Sequence, residues 1–171
     1  YLNYGSIGVV IGHEITHGFD DQGKQYAGDG TLQTGGAMLT TLSLARRRNA
    51  SSIKIGMNVN GDLTQGENIA DNGGLRESLR PSETAQRLPG KLSKFTPEQL
   101  FFVAYSQTWC EIDSPATLAS QILSDPHSPG RFRSIGAVSN SDDFAKAFNC
   151  PGMIDVSFGN NNSVAQKLHH P

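Results

Sequence analysis

The pentapeptide His13-Glu14-Ile15-Thr16-His17 constrains this chain more than any other feature. Residues four apart lie on one face of an α-helix. Two imidazoles there can grip one zinc ion at about 2.0–2.1 Å. Glu14 stands beside them, placed to take a proton from a water that the metal acidifies. The flanking chain is compatible with a helix from Tyr4 to Asp20, because Ile7, Val10, Ile11, Ile15 and Phe19 recur at helical spacing. Apolar residues on both sides of the motif predict a buried metal helix rather than a solvated one.

A catalytic zinc takes three protein ligands and keeps one position open. The candidate source of the third is Gly66-Glu67-Asn68-Ile69-Ala70-Asp71-Asn72-Gly73-Gly74. Glu67 and Asp71 are also four apart, so one helix presents both on one side. Glu67 can bind the metal. Asp71 can accept a hydrogen bond from the free ring N–H of a ligating histidine and fix its tautomer. His127 lies between two prolines in Asp125-Pro126-His127-Ser128-Pro129-Gly130. Held there, it can hydrogen-bond a developing oxyanion. Arg133 can clasp a substrate carbonyl or carboxylate in a bidentate fork. Read alone, His127 and Arg133 would each be an ordinary surface residue. His169 and His170 receive no role.

Composition removes other classes. A net charge of −2 gives no electrostatic footprint for nucleic acid. The basic triplet Arg46-Arg47-Arg48 reads as a solvated helix face. The apolar run Leu100 to Tyr105 is too short to span a bilayer. The chain opens at Tyr1, inside an apolar pattern and without a methionine, so a fragment is expected. Cys110 and Cys150 form no CxxC pair, which argues against a cysteine zinc site. Glycosylation sequons occur at Asn49 and Asn161.

The remaining elements follow from periodicity and caps. Glycines between Gly23 and Gly36 mark a long loop, and Ala37 to Ala50 is a possible helix. Asn58 to Thr64 reads as a turn. Gln65 to Leu79 is expected to be helical, though weakened by Gly73 and Gly74. Pro81 to Lys94 reads as loop. Thr96-Pro97-Glu98-Gln99 starts a helix running to Glu111, with Leu100, Val103, Ala104 and Gln107 on one face. A shorter helix is expected from Ala116 to Leu123, an extended segment over Phe132 to Val138, and a short amphipathic helix over Ser141 to Phe148. Gln33 to Met57 and Ser157 to Pro171 carry no clear period and are expected to be the least ordered.

The stretch Asn3 to Asp20 resembles the zinc helix of the neprilysin and endothelin-converting-enzyme family of metallopeptidases. Gly66 to Leu75, Phe95 to Cys110, Asp125 to Gly136 and Phe144 to Cys150 resemble the same family in the same order. The resemblance implies Glu14 as general base, Asp71 as partner of a ligand histidine, and His127 as the residue stabilising the transition state. It implies Arg133 as the holder of substrate backbone. It also implies Val10 and Trp109 as the lining of the pocket for the side chain after the scissile bond. Cleavage on the amino side of large apolar residues follows from the same likeness. So do disulfides from Cys110 and Cys150 to upstream cysteines, glycans, and a cell-surface or secreted location. Gln33 to Met57, Leu79 to Leu88 and the chain after Pro151 depart from the family pattern.

The expected fold is mainly α, a zincin-like catalytic segment joining the HExxH helix to a glutamate-ligand helix. Its domain would cover residues 1–156, with 33–57 divergent and 157–171 a tail. The expected site comprises His13, His17 and Glu67 on one Zn²⁺, Glu14, Asp71 and His127 in catalysis, and Arg133, Val10 and Trp109 on substrate. Peptides are the expected partners, nucleic acid is not, and a full-length form would be membrane-anchored through an N-terminal segment absent here. Two functions remain: a zinc endopeptidase, or a truncated or mis-spliced remnant that binds zinc with little or no peptidase activity.

Overall fold

The computed structural model describes residues 1–33, 57–79 and 86–150. The expectations for Ala37 to Ala50, Arg46 to Arg48, both sequons and the tail after Ser157 lie outside them. The described residues are mainly helical. A π-helical turn, Tyr4–Gly8, leads into α1, Val9–His17. Then come α2, Gln65–Ser78, and α3, Pro97–Thr108. They are followed by α4, Pro115–Ser124, α5, Gly130–Ser139, and α6, Asp142–Phe148. Short 3₁₀ turns span Gly23–Gln25 and Gly90–Lys94, and an isolated antiparallel bridge pairs Tyr26 with Leu32.

Packing of α1 on α2 is what brings the two sequence motifs together. The helices run antiparallel: Ser78 Oγ donates to Gly8 O at 2.6 Å at one end, and Gly66 abuts Asp20 and Asp21 at the other. Glycines make the seam close. A Cβ on Gly12 would meet Gly74 Cα at 2.9 Å, and a Cβ on Gly73 would collide with the Thr16 side chain. Gly73 and Gly74 therefore leave α2 intact and set its distance from α1.

Helix α3 supplies the core. Thr96 Oγ1 accepts the Gln99 N–H at 3.2 Å, Gln99 Oε1 accepts the Thr96 N–H at 3.0 Å, and Pro97 sits in the first turn. The expected start is thus in place, and the helix ends at Thr108, short of Glu111. Phe101, Phe102 and Tyr105 are buried with Val9, Leu75 and Ala137. This differs from the expected face, since Gln107 is exposed and Val103 half-buried. The aromatic residues decide the orientation because they bury the most apolar area. Gln99 Nε2 donates to Ala147 O at 2.8 Å, fastening α6 beneath them.

Two expectations need correction. Phe132 to Val138 is helical, not extended: it lies within α5, whose first turn forms as Pro129 O accepts the Phe132 and Arg133 N–H groups. Its β-like composition is overridden because i, i+4 spacing turns Arg133 and Ala137 inward together. The apolar ridge of the first helix is not its buried face either. Gly5, Val9, Gly12 and His13 face inward, whereas Ile7, Ile11, Ile15 and Phe19 are each more than half exposed. Close approach to α2 selects the small residues, and the large ones point away.

Gly74→Ala tests the seam. Alanine gains about 1 kcal/mol of helix propensity over glycine. Its Cβ, however, would lie 2.5 Å from Val9 O and 2.7 Å from His13 N, and backbone cannot swing aside. We expect a net loss of about 1–3 kcal/mol in urea unfolding. An unchanged or higher midpoint would show that the seam has slack.

Candidate functional site

Helix α1 presents His13 and His17 one turn apart, and α2 brings Glu67 up against both. His13 Nε2 lies 3.0 Å from His17 Nε2 and 3.1 Å from Glu67 Oε2, and His17 Nε2 lies 3.5 Å from Glu67 Oε1. One donor atom from each of the three residues falls within 4.8 Å of the others. Although Glu67 Oε2 has histidine nitrogens nearby, none makes a well-directed hydrogen bond to it, and the atom is buried. Two imidazole nitrogens facing one another, with a buried carboxylate oxygen left over, form a donor set that suits a divalent cation. Imidazole and carboxylate are both zinc ligands.

Each histidine is held from behind by an aspartate. His13 Nδ1 faces Asp71 Oδ1 at 2.9 Å. His17 Nδ1 faces Asp20 Oδ2 at 2.6 Å, while Asp20 Oδ1 accepts the backbone N–H groups of Gln22 and Gly23 at 2.8 and 2.7 Å. Asp20 was not among the residues singled out from the sequence. Its signal was the spacing His17-Gly18-Phe19-Asp20, which returns a carboxylate to the ligand face just past the helix end.

Asp71 also receives Arg133, with Nε on Oδ2 at 2.8 Å and Nη2 on Oδ1 at 2.7 Å. The guanidinium stacks on Trp109, 3.9 Å from the ring centre. Arg133 and Trp109, expected on the substrate, thus first serve as support for Asp71. His127 closes the group, with Nε2 3.2 Å from Glu67 Oε2. Its own partner, also missed from the sequence, is Asp125, whose Oδ1 lies 2.7 Å from His127 Nδ1. An aspartate two residues before a loop histidine is the pattern that could have shown it. Glu14 is exposed and Val10 half-buried on α1.

Burial opposes charging of His13, but the Asp71 and Glu67 carboxylates beside its two ring nitrogens outweigh it and push the pKa up to about 9. Burial also opposes charge on Asp20, and the His17 ring with two backbone N–H groups holds its carboxyl below the usual range. Glu67 is likewise held low against burial, by His13 first and by His127 and His17 after it. Because the His13 pKa is raised above its unfolded value, the contribution to stability of the metal-free chain is full below pH about 6.5. It is lost as pH rises through about 9. Zinc affinity should move the other way, since the metal must displace that proton: roughly tenfold per pH unit between about 7 and 9, flattening above. Competition with a chelator of known affinity measures this, and a flat profile over that range would contradict it.

The chain is similar to known metallopeptidases. The model of Peptidase family M13 matches residues 1–160. Neprilysin-11 of Caenorhabditis elegans is 47% identical over 171 residues, covering 91% of this chain and 20% of the relative. Endothelin-converting enzyme 1 of Rattus norvegicus is 42% identical over 163 residues, covering 88% and 21%. The solved structure of the Mycobacterium tuberculosis zinc metalloprotease ZMP1 with an inhibitor superposes at a TM-score of 0.74. It shares 36% identity over 86% of this chain and 25% of that one. The chain therefore spans about a fifth of the length of the curated relatives it matches.

Proposed function

The chain belongs to peptidase family M13, and on that premise we propose that residues 1–156 are the metal-and-base segment of a zinc endopeptidase. The observation that carries this reading is the convergence of His13, His17 and Glu67 from two helices onto one point. These three residues would hold the ion. When bound, zinc supplies Lewis acidity that lowers the pKa of water and polarises a carbonyl.

The protein's own groups do the rest. Glu14, exposed on the turn that carries His13, accepts the proton of the attacking water and returns it to the leaving amine. His127, fixed by Asp125, donates a hydrogen bond to the oxygen on which charge develops. Arg133 gives two N–H groups to Asp71, and a guanidinium has five, so donors remain for a substrate carbonyl. Val10 and Trp109 line the pocket for the residue after the cut, which would be large and apolar. Family likeness supports a cell-surface or extracellular location for a longer protein that contains this segment. Among the described residues no helix is long and apolar enough to cross a membrane.

A second reading is a zinc-binding remnant with little peptidase activity. The exposed ridge favours it: Tyr4, Ile7, Ile11, Ile15 and Phe19 form a stripe along the back of the metal helix. Contiguous exposed apolar surface marks an interaction face, and relatives five times as long have chain to cover it. Catalysis needs substrate gripped and water excluded, and an ångström of misplacement costs on the order of 100-fold. We therefore expect this chain to bind one zinc yet cleave peptides poorly, and a full-length version to cleave briskly. In that full-length version Glu14→Gln should abolish turnover and retain the metal. Zinc stoichiometry and hydrolysis of an unstructured peptide, measured on both lengths, check this. Fast chelator-sensitive cleavage by the 171-residue chain would discard the second reading. Loss of zinc in Glu14→Gln would discard the role given to Glu14.

Losing a group that only steadies a ligand should be milder. Asp71→Ala is expected to weaken zinc affinity by roughly 10–100-fold. Unchanged affinity would remove Asp71 from the site.

A further inference from the structure

His127 comes from a loop, not from a helix, yet its ring is brought to Glu67 on α2. Asp125 explains only part of this. Its Oδ1 accepts the His127 backbone N–H at 2.8 Å and faces Nδ1 at 2.7 Å. Both contacts lie inside the loop. They orient the imidazole on its own backbone and say nothing of where the loop sits on α2. At the loop's far end, Glu111 Oε1 accepts the Gly130 N–H at 2.5 Å, which ties it to the residues after α3 instead.

The residue after His127 makes the missing connection. Ser128 is 3% exposed, and its Oγ donates to Asn68 Oδ1 at 3.0 Å. Asn68 follows Glu67 on α2. Its Nδ2 donates to Thr64 Oγ1 at 3.0 Å, and Thr64 is itself buried. The amide is therefore fixed, with its oxygen turned to the serine. Residues 67 and 127 are each one position from a partner in the same bond, so the bond sets their separation.

We propose that Asn68 and Ser128 are positioning residues, whose single hydrogen bond registers the His127 ring against Glu67. Neither touches a candidate metal ligand through a hydrogen bond of its own side chain. Their effect therefore falls on His127 and leaves metal binding alone. The consequence for catalysis rests on the proposed role of His127, whereas the positioning itself does not.

The test uses the 171-residue chain, metal-free and zinc-loaded, at one pH. Ser128→Ala, Asn68→Ala, the double variant and Ser128→Thr are compared by the ¹³C–¹H signal of the His127 ring and by zinc affinity. Each single variant should move the ring signal toward that of an unstructured loop. The double variant should move it no further, since both remove one bond. Ser128→Thr keeps the hydroxyl and should restore the native signal. Zinc affinity of Ser128→Ala should stay within about threefold, against the 10–100-fold expected when a group supporting a ligand is lost. An unmoved ring signal in both single variants, additive shifts, or a zinc loss matching that of Asp71→Ala would each overturn the proposal. If Ser128→Ala does not fold, Asn68→Ala against Ser128→Thr decides the same point. Absence of zinc binding in the native chain would sink the metal reading instead, and the metal-free ring signals would still judge the positioning claim.

Discussion

A buried carboxylate holds three helices in register. Asp71 is nearly inaccessible to solvent, and both its oxygens are taken: one by Arg133 Nε, the other by Arg133 Nη2 and His13 Nδ1. Burying a charge costs several kcal/mol unless it is answered by well-placed donors. Here the answer comes from α1 and α5 to a residue on α2. Tyr105 on α3 donates to Arg133 O at 2.9 Å, so the core helix joins the same node. Glu67 stands one turn from Asp71. Whatever locks Asp71 also aims Glu67 at the two histidines.

The close seam makes that node possible. Gly12, Gly73 and Gly74 bring α1 and α2 nearer than larger residues would allow. The reach of a histidine on one helix then matches that of a carboxylate on the other. Around the node acidic and basic side chains alternate: Asp20 behind His17, Asp71 behind His13, Arg133 behind Asp71 and Asp125 behind His127. Each imidazole has one nitrogen held from outside and the other turned toward Glu67. That arrangement selects the ring orientation a metal needs before any metal arrives.

Much of this was legible in the chain, because it is local. The spacing of His13, Glu14 and His17, the pair Glu67 and Asp71, and the capping box at Thr96 all act within a turn or two. Their geometry follows from helix periodicity. What could not be read depends on contacts far apart in sequence. The inward face of α1 does not follow from its apolar residues, because packing against glycines favours the small ones. Phe132 to Val138 looked extended because nothing local shows that Arg133 must reach Asp71, 62 residues away. Asp20 and Asp125 are each a plain acidic residue until the fold puts an imidazole beside it.

Two imidazoles and one carboxylate are proposed to hold a single zinc. X-ray absorption on the zinc-loaded chain reads the first coordination shell directly. Zinc–nitrogen and zinc–oxygen bonds lie at about 2.0–2.2 Å and zinc–sulfur bonds at about 2.3 Å. Cys110 and Cys150 are both free thiols and so are the obvious rivals. The shell is expected to contain nitrogen and oxygen only, with scattering from two imidazole rings. In Glu67→Ala the shell should keep both rings while affinity falls. A sulfur at about 2.3 Å, or a shell and affinity untouched by removing Glu67, would contradict it.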